Sequence, residues 1–180
     1  MGMHIIGHFR TITRHRNIVL LHCIKAGIPW RGLMHDLSKY SPTEFLPGAR
    51  FYSGTHSPTE EERREYGCSY AWMHHKGRNK HHFEYWTDYS MAIHGLAPVK
   101  MPLVYVIEMF CDRVAASKVY LGSHYVDRCP LDYFLRGHDH LKMHPETKEL
   151  LGTLLSMLAE KGEKETFRYI RKELRPQKTY

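Results

Sequence analysis

An imidazole and a carboxylate stand side by side at His35-Asp36, in the run His35-Asp36-Leu37-Ser38-Lys39. These are the two commonest ligand types for catalytic Zn, Fe, Mn or Mg, and one short piece of backbone delivers both. The dipeptide alone says little, but the chain carries 15 histidines. Four of them fall in the run Met73-His74-His75-Lys76-Gly77-Arg78-Asn79-Lys80-His81-His82. Trp72 precedes that run and Phe83, Tyr85 and Trp86 follow it, which argues for a packed setting rather than a free tail. Two His-His pairs around a Gly/Asn loop suit a second metal ion or an anionic substrate.

Asp112 lies within the apolar run Leu103 to Leu121. A carboxylate there is exposed, paired (Arg113 follows it) or metal-bound, because burying it bare is costly. His15 precedes His35 by 20 residues on the first long helical stretch. His22, seven residues further on, shares roughly the same helical face and competes with it. Glu108 stands four residues before Asp112, where it could orient a ligand histidine or pair with a cation. His138-Asp139-His140 contains a second HD dipeptide. It follows Gly137 without an apolar lead-in and reads as a surface loop. Tyr85, Trp86, Tyr89, Tyr105 and Tyr120 read as core rather than as stacking surfaces.

The elements that position these residues are helical nearly throughout. Ile12, Ile18, Val19, Leu21 and Ile24 recur near helical spacing up to Gly27 and Pro29, which end a first long helix. Trp30 to Lys39 predicts a second, short helix carrying the HD pair. Ser41-Pro42-Thr43-Glu44 and Ser57-Pro58-Thr59-Glu60 both predict helix starts closed by capping boxes. The second opens a helix running to about His75, with Gly67 a weak point. Gly77 to His82 reads as a loop and Phe83 to His94 as a further helix. Pro102 opens the apolar helix, Gly122 ends it, and two or three helices follow, with breaks near His144-Pro145 and at Gly162. No strand is predicted. The fold class is all-α, one single-domain helical bundle over residues 1-180, with a core at 10-121 and a packed C-terminal helical extension at 122-180.

Composition sets the outer bounds. A chain of 180 residues with 42% hydrophobic and 25% charged residues is an ordinary globular domain. Its longest apolar runs are too short to cross a bilayer, so no membrane partner is expected. Met1 to Arg10 lacks a secretory pattern, and the four scattered cysteines form no CxxC. Both point to a cytoplasmic protein with reduced thiols. The net charge of +7 favours phosphate-bearing partners. Its late excess, Lys161 to Lys178, is interleaved with glutamates and reads mainly as a solvated helical face, so nucleic acid is a less favoured partner.

The order His15 … His35-Asp36 … Asp112 resembles the HD-domain superfamily of metal-dependent phosphohydrolases, whose pattern is H…HD…D on an all-helical bundle. His15-x-x-x-Val19 resembles its first-His segment, and His35-Asp36-x-x-Lys39 its HDxGK version, with Ser38 in place of Gly. Trp30 to Trp86 is similar to a poorly characterised bacterial and phage branch with an HDLSK…HH…N…HHxEYW pattern. The resemblance covers roughly residues 10 to 121. It implies a divalent cofactor of one or two ions (Mn, Fe, Zn, Co or Mg) held by His15, His35, Asp36 and Asp112. His74 and His81 would be second-metal ligands, with His75 and His82 as their alternates. It also implies a metal-activated water, with Asp36 and Lys39 catalytic, attacking a nucleotide or other small phosphate ester. Lys39, His75, Arg78, Asn79 and His82 would contact substrate. Two alternatives stay open, an HD-type di-iron oxygenase and a non-catalytic metal- or nucleic-acid-binding module.

Overall fold

The computed structural model describes residues 2–177 and 179–180, and the chain is an all-α, single-domain bundle. Its long helices are α1 (Ile5–Ala26), α6 (Leu103–Leu121) and α8 (Pro145–Tyr169). Shorter ones are α2 (Pro29–Met34), α3 (Pro42–Arg50), α4 (Pro58–Tyr66), α5 (Tyr70–Lys76) and α7 (Cys129–Gly137). α6 is apolar on most sides and lies at the centre. Val106, Ile107, Phe110 and Val114 pack with Val19 and Cys23 of α1 and with Leu151, Leu154, Leu155 and Leu158 of α8. Residues beyond 121 therefore complete the same hydrophobic core. Among the described residues no helix is long and apolar enough to cross a membrane.

Several local expectations change. The second helix stops at Met34, before the HD pair. His35 is extended and Asp36 takes left-handed backbone (φ 53°, ψ 26°), leading into a 3-10 turn over Leu37–Tyr40. Consecutive helical side chains diverge by about 100°. Leaving the helix lets His35 and Asp36 reach the same point. The predicted helix up to His75 breaks at Gly67, whose positive φ of 74° ends α4. Glu62 then accepts hydrogen bonds from Ser69 Oγ and, at 3.1 Å, from Tyr70 N, which fixes the start of α5. Neither predicted capping box forms, as Ser41 and Ser57 make no side-chain cap.

The predicted helix Phe83–His94 is absent. A single 3-10 turn, Phe83–Tyr85, leads into an antiparallel hairpin of β1 (Thr87–Ser90) and β2 (Gly95–Pro98), pairing Thr87 with Pro98 and Ser90 with Gly95. The alternation Thr-Asp-Tyr-Ser suits a strand as well as a helix turn. Tyr85 and Tyr89 are exposed rather than core.

Gly32 sets the approach of α2 to α1. A Cβ there would lie 2.7 Å from Cys23 Cβ and 2.9 Å from Leu20 Cα. That closeness carries the chain after α2 to the His15 level of α1, where Arg16 donates to the carbonyls of His35 (2.8 Å) and Leu33 (2.9 Å).

Candidate metal centre

Five segments meet at one buried point. His15 comes from α1, His35 and Asp36 from the turn after α2, His75 from α5, His81 and His82 from the loop after it, and Glu108 and Asp112 from α6. Asp36 is 1% exposed and lies at the middle. His35 Nε2 stands 3.3 Å from its Oδ2, and His15 Nε2 4.0 Å from the same oxygen. Asp112 Oδ1 completes that side, 2.9 Å from His15 Nε2 and 3.6 Å from His35 Nε2. The other oxygen, Asp36 Oδ1, lies 3.3 Å from His75 Nε2 and 3.5 Å from His81 Nε2.

Two groups of potential ligands therefore share Asp36: His15, His35, Asp36 and Asp112, and Asp36, His75, His81 and His82. In each, the donor atoms lie within 4.8 Å of one another. These groups could hold a metal ion. Metal–ligand bonds of about 2.0–2.2 Å place neighbouring ligand atoms about 3.0–3.5 Å apart, the spacing of His35, His75 and His81 from Asp36, with His15 further off at 4.0 Å. The chemistry of the atoms agrees. Nε2 of His35, His75, His81 and His82 and Asp36 Oδ1 are buried without a hydrogen-bond partner, while His15 Nε2 meets Asp112 and Asp36 Oδ2 meets Lys39. Buried polar atoms of this kind are costly unless something binds them.

The outer sides of three rings, His35, His75 and His81, are held. Glu108, fully buried, accepts from Nδ1 of His35 (3.1 Å) and of His81 (3.3 Å) through Oε1, while its Oε2 accepts from Arg31 Nε at 2.7 Å. Glu44 Oε2 accepts from His75 Nδ1 at 2.7 Å. With Nδ1 carrying the hydrogen, Nε2 presents its lone pair inward. Against its burial, the bonds from His35 and His81 hold the Glu108 carboxyl at about 2. Burial opposes ionisation of Asp36 too, but His35 and Lys39 keep its carboxyl well below the usual range. His35 is buried yet raised well above the ordinary histidine value by the carboxylates of Asp36, Asp112 and Glu108. His15 is lowered by burial and by the Lys39 charge, which together outweigh its bond to Asp112.

Several expected site residues stand elsewhere. His74 is not in either group, because its Nδ1 bonds Glu44 Oε1 at 2.6 Å and its neighbour His75 takes the inward place. Asn79 is structural: its amide donates to Ser38 Oγ and to the His75 carbonyl, both at 2.8 Å, tying the loop to the HD turn. Arg78 is exposed and reaches back to the His74 carbonyl at 3.4 Å. His22, the competitor of His15, faces Glu163 at 3.2 Å instead. His138-Asp139-His140 is a 3-10 turn with Asp139 and His140 exposed, as a surface loop should be. Glu44 was not foreseen, since its position three residues after Ser41 looked like a capping box. Glu108 carried a signal, an acid one turn before Asp112 in an apolar helix.

A model of a family of unknown function, DUF5662, matches residues 4–157. The chain belongs to the DUF5662 family. That match contains every residue of the two ligand groups, from His15 to Asp112. No curated protein matches the chain, and no solved structure does.

The centre adjoins a cleft of about 100 Å³ between α1, α3 and α5. Lys39, Glu44 and His75 line its inner end, and Tyr52, Trp72 and Tyr120 its walls. The Lys39 ammonium lies 2.6 Å from Asp36 Oδ2 and faces both cleft and centre.

Proposed function

We propose that this protein is a metal-dependent phosphohydrolase holding two divalent cations, one on each side of Asp36, and acting on a nucleotide or other small phosphate ester. The observation that supports this reading is the convergence of buried, partnerless acceptors on Asp36 beside a cleft walled by a lysine. A donor set of imidazole nitrogens and carboxylate oxygens, without thiolate, favours Mn, Fe, Co or Zn. When bound, such cations supply an acidified water and positive charge against the phosphate.

The chain's own residues would act as follows. His15, His35, Asp36 and Asp112 would hold one cation, and Asp36, His75, His81 and His82 the other. Glu108 and Glu44 keep the imidazole Nδ1 hydrogens in place, so Nε2 stays available. Lys39, which lines the cleft beside Asp36, would bind a phosphate oxygen there. Four free cysteines fit a reducing, cytoplasmic setting.

The test is metal analysis of protein purified without chelator, then a phosphatase and phosphodiesterase panel with that metal. Asp36→Ala should lose metal and phosphate release while keeping its helical content. Full occupancy in Asp36→Ala sinks the assignment. Iron accompanied by oxygen consumption, without phosphate release, transfers the same ligands to oxygenase chemistry.

A further inference from the structure

A second pocket, of about 300 Å³, opens between α6 and α7, and none of its lining residues lines the cleft beside the metal centre. Arg113 of α6 and Arg136 of α7 line it together with Tyr133, Phe134, Gly137 and Leu141. Among the described residues neither guanidinium forms an ion pair; Asp112 and Glu84 act on the Arg113 charge from further off, and Glu84 Oε2 is itself buried without a hydrogen-bond partner. Arg113 Nε is buried without a hydrogen-bond partner. Arg136 stacks against Tyr133, with Cζ 5.5 Å from the ring centroid.

A guanidinium keeps its charge when buried, so a donor left without an acceptor is costly. Its planar fork matches phosphate and carboxylate oxygens. We infer that this pocket binds an anion, a phosphate or carboxylate group held between Arg113 and Arg136, on a ligand whose apolar body rests against Tyr133, Phe134 and Leu141. The site is independent of any metal and of the hydrolase reading. It sits one residue along α6 from Asp112, so an occupant would contact the helix that carries a ligand of the centre.

The test is calorimetric titration of the full chain, as purified and at constant ionic strength, with two probes that a phosphatase cannot cleave. Phenylphosphonate represents the phosphate class and isophthalate the carboxylate class. At least one should bind one-to-one, and the stronger names the ligand class. Arg136→Gln, at an exposed position, and Arg113→Gln should each weaken it by about tenfold or more, the loss of a charge-assisted contact. Lys39→Ala, which alters only the other cleft, should leave it unchanged. Absence of binding by both probes overturns the inference. So does wild-type affinity in Arg136→Gln, or binding that Lys39→Ala abolishes, which would locate the anion at the metal centre. If Arg113→Gln does not fold, Arg136→Gln decides.

Discussion

Glu108 is the residue whose replacement speaks most directly to how the centre is built. It accepts from three donors, His35 Nδ1, His81 Nδ1 and Arg31 Nε. Gln at this position keeps the shape but offers one acceptor oxygen and an NH2 group. If the oxygen faces the imidazoles, the NH2 meets the Arg31 donor; if it faces Arg31, two imidazole hydrogens go unbound. Arg31 is partly exposed and can turn to water, so the first arrangement wins. An unsatisfied buried donor costs about 1–3 kcal/mol, and that escape puts Glu108→Gln near the lower end, about 1–2 kcal/mol of stability. The larger consequence falls on the metal. Loss of the carboxylate behind two ligand rings makes them less basic and less fixed, which weakens metal affinity by about 10–100-fold, or about 1.4–2.7 kcal/mol. Chelator competition followed by cobalt absorbance measures the affinity, and urea unfolding in chelator measures the stability of the metal-free chain. A metal affinity within about twofold of wild type would refute the second role assigned to Glu108.

Three further expectations separate neighbouring residues. His75→Ala should lower the bound-metal content measured by elemental analysis, whereas His74→Ala, whose ring lies on Glu44, should leave it near wild type. Lys39→Ala should reduce kcat/KM about tenfold or more while metal affinity, read by the same chelator competition, holds or tightens because Asp36 loses a competing cation. Glu163 accepts from His22 and Lys118 and pairs with Lys25, joining α8 to α1 and α6, and those partners hold its carboxyl well below its ordinary 4.5. A depressed folded pKa gives stability that is present above the unfolded value and lost as pH falls through the folded one. Glu163→Gln should therefore cost about 1–2 kcal/mol at pH 7 in urea melts, with the difference shrinking steadily below pH 4.5.

The set His15, His35, Asp36 and Asp112 was legible through its resemblance to the H…HD…D order, and Asp112 also as a carboxylate inside an apolar helix; His15, between Arg14 and Arg16, has no apolar context of its own. The choice between His74 and His75 was not legible. The two are adjacent on α5, and the inward face depends on how Glu62 and Ser69 set the helix start, a contact between separate helices. Ala71, four residues before His75 and buried with it, was the available hint. The role of Glu44 was hidden because an acid in the first turn after Ser41-Pro42 has a local explanation, and only the docking of α3 on α5 gives it His74 and His75. The hairpin escaped because a four-residue strand carries too little alternation to outweigh its helical surroundings.

Asp36 is common to both ligand groups, so the two differ in what a substitution removes. Replacing His75, His81 and His82 would leave His15, His35, Asp36 and Asp112 as a complete set. Replacing Asp36 would leave neither. The group built on α5 and its loop is thus separable, whereas the His35-Asp36 turn is the joint on which both depend.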